Sequence, residues 1–215
     1  MKELKRINQM TVNQKKLFLS TGMIAVLFYM LHVLLGGFLW KEYDHLQQPI
    51  SDLTATGSPN RNLMLLLTSI YGVLAIIFAL SFTMLKCKKH FKLVFYGGVM
   101  LSVMYVISIT YGLFPEDLPN QGMTFLGSMH IVITALIVPF TILAPIFIGL
   151  GFMKEKTWKS FGIYSFISGC LILIFGSLCA VFFIYKMPGF GLIERINIGV
   201  LQAWLFLLSL KSITK

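Results

Sequence analysis

Four side chains in this 215-residue chain are of the types that acid–base or metal chemistry needs: Asp52, Asp117, His130 and Glu194. Carboxylates with a histidine form a donor set for one divalent metal ion. The same groups form an acid/base pair. Ser51 beside Asp52, with His130 across from it, can be read as a nucleophile set. No close-spaced signature of the H-E-x-x-H kind joins them. They stand on separate segments, so only the fold can bring them together. Arg195, next to Glu194, would clamp a phosphate. Tyr29 and His32 share a helix face with Gly36 at i, i+3 and i+7, which makes them a buried helix contact first and substrate-binding residues second.

Each of these groups also has a plainer use. Ser51 or Asp52 can cap a helix start inside the Pro- and Gly-rich stretch 49–59. Asp117 can belong to a solvated turn, Phe114-Pro115-Glu116-Asp117. His130 can be a neutral histidine bonded to a neighbouring helix. Arg195 can snorkel to lipid phosphate while Glu194 favours a helix N-terminus. His45 reads as solvated.

The elements that must position them are membrane helices. Apolar and aromatic residues make up 57% of the chain and charged residues only 12%, about half the charged share of a soluble domain. A cytosolic enzyme, a disordered tail and a disulfide-stapled module are excluded. A bilayer core takes about 20 apolar residues per helix. Six stretches qualify, at about 17–40, 62–85, 93–113, 125–152, 160–185 and 194–210. The expected fold is all-α: one six-helix membrane domain over residues 17–212, preceded by a basic segment, 1–16. The first span is too long for a signal-peptide core and reads as a retained anchor.

Fourteen of the 18 Lys and Arg residues fall at the two termini and in the loops at 86–92 and 153–159. Only Lys41, Arg61, Lys186 and Arg195 fall on the other side, which places both termini in the cytoplasm of a multi-pass cell-membrane protein. Because the charge of +10 is scattered between apolar spans, no nucleic-acid partner is implied. The acids cluster oppositely, so Asp52, Asp117, His130 and Glu194 come to one depth near the outer interface. Cys87, Cys170 and Cys179 form no framework and read as free thiols. Gly162, Ser165, Gly169, Gly176 and Ala180 form a small-residue stripe suited to close helix packing or to an oligomer. Pro139 and Pro145 predict a kinked fourth span.

The order of motifs carries a resemblance. Pro49-Ile50-Ser51-Asp52-Leu53 and Gly57-Ser58-Pro59 follow the first span. Phe114-Pro115-Glu116-Asp117 follows the third, His130 lies early in the fourth, and Glu194-Arg195-Ile196 opens the sixth. Together, over about residues 18–210, these resemble the bacterial and archaeal membrane family catalogued as domain of unknown function 998. The Ile-Ser-Asp segment is also similar to the Frag1/DRAM/Sfk1 group, a likeness confined to the first outer loop and the span count. That second likeness implies membrane lipid as the partner, by analogy. The expectation is an outer-leaflet polar pocket that binds, and in its enzymatic form hydrolyses or acylates, a lipid or lipid-linked headgroup. A lipid carrier and a non-catalytic scaffold are the alternatives.

Overall fold

The computed structural model describes residues 11–86, 92–118 and 122–214. Lys2, Lys5, Arg6, Cys87, Lys88, Lys89 and Lys215, which belong to the segments read above, lie outside the described residues. Among the described residues there is no strand, and six helices are long and apolar enough to cross a membrane.

These are α1 (Val12–Leu39), α2 (Arg61–Lys86), α3 (Lys92–Ser108), α4 (Phe125–Phe152), α5 (Lys159–Ile184) and α6 (Phe190–Thr214). A 3₁₀ turn spans Ile50–Thr54, and a second, Ile109–Gly112, extends α3. Each helix packs on its chain neighbours, and α6 returns to α1, which closes the six into a ring. Ser209 Oγ donates to Leu19 O at 2.6 Å. The start of α1 and the end of α6 are thus side by side, and both termini leave from one end of the bundle.

Two helix starts differ from the sequence expectation. α1 begins at Val12, inside the basic segment, because Thr11 and Gln14 form a reciprocal capping box. α6 begins at Phe190, four residues before Glu194. Leu46 O and Gln47 O accept the N–H groups of Leu192 and Gly191 at 3.0 and 3.2 Å. The loop between α1 and α2 thereby satisfies donors that the first turn of α6 would otherwise leave orphaned. Glu194 and Arg195 consequently sit a full turn inside the helix rather than opening it. α4 runs unbroken through Pro139 and Pro145.

The terminal half of the ring is filled by apolar side chains. Phe78, Phe82, Val94, Leu101, Ile148, Trp204, Leu205 and Leu208 are fully buried there. α4 and α5 touch at Gly149 and Gly162, where a Cβ on Gly162 would lie 2.6 Å from Met153 N. Gly169 packs on Ile142 and Ile146 of α4. Gly162 and Gly169, the first two glycines of the small-residue stripe, are thus used within the chain rather than kept for a second copy. Beyond Ile172 no described residue of α5 is buried.

Candidate functional site

The first outer loop is bolted to α6 by a set of buried polar contacts. Arg195 Nη1 donates to Gln48 O at 2.8 Å and to Gly191 O at 2.9 Å, and Nη2 donates to the Tyr43 hydroxyl. The guanidinium also stands 5.4 Å from the centre of the Tyr43 ring. Tyr43 in turn donates to Pro49 O at 2.7 Å. The Ile50 N–H donates to Glu194 Oε2 at 2.6 Å. Gly191 permits this approach: a Cβ there would come within 2.4 Å of Gln48 O. Arg195 is therefore a strut whose two terminal nitrogens are committed, not the open phosphate clamp expected from its position.

Asp52 is buried at 1% exposure in the 3₁₀ turn, where Gln48 Nε2 donates to its Oδ2 at 3.2 Å. The carboxyl is pushed up to about 6, by burial first and by the charge of Glu116 second; the Gln48 hydrogen bond and Arg195 oppose the rise. Glu116 is also raised, by burial and then by Asp117, against a hydrogen bond from Ser51. Its Oε2 is buried without a partner, and its backbone carbonyl accepts from Thr56 N at 3.1 Å. Glu116 thereby ties the second outer loop to the first. Asp52, Glu116 and Glu194 lie within electrostatic reach of one another.

The second loop divides its two acids. Asp117 turns away, accepting from Thr124 N at 2.7 Å and Thr124 Oγ1 at 2.8 Å at the start of α4. It is a cap. His130 lies with its Nδ1 3.0 Å from Phe114 O and its ring 4.7 Å from that of Tyr111. Ser51 reaches Glu116, not His130. The nucleophile set of Ser51, Asp52 and His130 is thus not assembled as expected. Nor is the four-residue metal set: among the described residues no three His, Cys, Asp or Glu side chains converge to hold a metal ion. The reason is local. Asp117 and His130 each have a nearer backbone partner than the cluster across the bundle.

Below the loops, α1, α2 and α6 supply a polar interior. The Tyr29 ring lies 4.9 Å from that of Tyr71, tilted by 54°, and meets His32 edge-on at 5.8 Å. Tyr29 also lies within electrostatic reach of Glu194, Arg195 and Tyr43. Gln202 Nε2 donates to the Tyr71 hydroxyl at 2.8 Å. His32 is 2% exposed, and neither ring nitrogen has a hydrogen-bond partner. Asn197 Oδ1, Gln202 Oε1 and Arg195 Nε are likewise buried and unmet. Unpaired buried polar atoms are costly, so their concentration at one end of a membrane bundle makes that end the candidate site. His45 is half-buried edge-on against Tyr43 at 5.1 Å, rather than solvated. Cys170 and Cys179 are free thiols.

The sequence missed Glu116, Tyr43 and Gln48. Glu116 and Asp117 are adjacent, and nothing in the dipeptide says which one turns inward. Gln48 carried a signal: a glutamine four residues before a buried Asp can donate to it.

An all-helical bundle of six spans with its polar groups gathered at one end defines an integral membrane protein. The chain belongs to the family described as protein of unknown function DUF998, whose model matches residues 23–211. The likeness to the Frag1/DRAM/Sfk1 group is not confirmed by that match. No curated protein and no solved structure matches the chain.

Proposed function

We propose that the loop end of the bundle faces the outside of the cell membrane, with both termini cytoplasmic, and holds a lipid or lipid-linked headgroup. The observation that carries this reading is the gathering of Asp52, Glu116 and Glu194 from three segments around Arg195, above buried polar atoms that lack partners. In lipid such groups are retained where they serve a site. The enzymatic form of the proposal is hydrolysis or acyl transfer at that lipid. In it Ser51 is the nucleophile and Glu116, its hydrogen-bond partner, the base. A carrier fits less well, because Phe78, Phe82 and Trp204 fill the terminal half of the ring.

The test is native mass spectrometry of the full chain released from mild detergent, beside Arg195→Lys. A lysine cannot hold Gln48 O, Gly191 O and Tyr43 at once, so the loop should loosen and a co-purified lipid be lost by about tenfold, the effect of about 1.4 kcal/mol. Lipid retained equally by the variant, or none on either protein, would refute the pocket.

A further inference from the structure

We infer that the headgroup this site recognises carries a primary ammonium, and that the site rejects a purely anionic headgroup. The inference rests on the pocket reading above. The charged groups that act on Asp52, Glu116 and Glu194 are one another, Asp117 and a single cation, Arg195. Fully ionised, three carboxylates face one guanidinium. Its terminal nitrogens are already spent on Gln48 O, Gly191 O and the Tyr43 hydroxyl. A phosphate would thus meet three like charges, with only Arg195 Nε as an unpartnered guanidinium donor. A positive group completes the balance.

The size and hydrogen-bonding character of that group follow from the same residues. Among the described residues, no three of these side chains converge closely enough to share a metal ion, so a larger cation that reaches its partners through separate N–H groups suits the spacing. The unmet atoms include three obligate acceptors, Glu116 Oε2, Asn197 Oδ1 and Gln202 Oε1, beside one obligate donor, Arg195 Nε. A primary ammonium offers three donors and no acceptor; a trimethylammonium offers none.

An independent observation is His32. It is buried to 2% exposure with both ring nitrogens unpartnered. On α1 it lies between Tyr29, which faces Glu194 across the interior, and Gly36, which packs on Leu53 and Met64. Its ring packs edge-on against that of Tyr29 at 5.8 Å. A neutral imidazole offers a ligand one donor and one acceptor.

The test uses the full chain in detergent and native mass spectrometry with four probes: dihexanoyl phosphatidylethanolamine, dihexanoyl phosphatidylcholine, dihexanoyl phosphatidylglycerol and free ethanolamine. The ethanolamine lipid should be retained about tenfold better than the choline and glycerol lipids, and Glu116→Gln should erase that preference, as expected for removal of one desolvated charge partner. Glu116→Gln keeps the side-chain shape, and an unchanged melting temperature would certify its fold. Displacement of the lipid by free ethanolamine would keep the ammonium and assign it to a soluble amine. Equal retention of all three lipids, or an unchanged preference in Glu116→Gln, would overturn the ammonium inference and leave the lipid pocket standing. No lipid retained at all would sink both.

Discussion

The two halves of this bundle obey opposite rules. In the terminal half, large side chains fill the ring and the hydroxyls of Ser102, Thr83 and Ser165 each have a near partner. Ser102 donates to Gly98 O at 2.9 Å, Thr83 to Ala79 O at 2.7 Å, and Trp204 Nε1 to Ser165 Oγ at 2.9 Å. In the loop half, His32, Glu116, Asn197 and Gln202 keep buried atoms unmet, and three acids crowd one cation. Unsatisfied polar groups cost stability, so the first half must hold the fold while the second keeps the groups proposed to contact a ligand. Packing in lipid gains no hydrophobic transfer between helices. The terminal half accordingly relies on close fit, as at Gly149 and Gly162.

The largest test of this division is Trp204→Ala. The indole is fully buried and bonded to Ser165. Its loss should cost about 3 kcal/mol through the cavity and the orphaned hydroxyl. Unfolding in mixed detergent micelles would read it, and lipid retention per folded molecule should not change. Altered retention would show that the halves are not separable.

A second test exploits the carboxylates. The Asp52 carboxyl rises from 3.8 to about 6 in the folded chain. The folded state then binds the proton more tightly than the unfolded chain, so this contribution to stability is full below about pH 4 and is lost as pH rises toward about 6. Glu116 acts in the same direction. Asp52→Asn should flatten the fall and raise the melting temperature near neutral pH. Melting curves across about pH 4 to pH 7 would check it; a wild-type protein that gains stability over that range would contradict the burial of Asp52.

The smallest effect is expected from Asp117→Ala. Removing the acceptor that holds Thr124, the N-cap of α4, should cost about 1 kcal/mol and leave lipid retention unchanged. Lost retention at an unchanged melting temperature would return Asp117 to the site and redraw the boundary between cap and pocket.

Much of the fold was legible because a bilayer imposes length and apolarity directly on each helix. The α4 span, 125–152, was read to the residue, and most other ends fell within a residue or so. The exceptions have physical reasons. Val12 is helical because of a capping box, and Phe190 because the first outer loop satisfies the start of α6. Those are contacts between side chains or distant segments, not hydropathy. Of the four side chains expected at one end, Asp52 and Glu194 stand within electrostatic reach of each other. Asp117 and His130 take nearer partners, Thr124 and Phe114 O.

The sequence by itself determined the class of this protein, its six spans and the end at which its polar groups gather, because these follow from composition along the chain. Tertiary structure alone decided which acid of Glu116-Asp117 faces the cluster, that Arg195 is a strut, and that His32 is left without a partner. Each of those depends on what stands opposite a side chain in three dimensions, and no spacing along one chain encodes that.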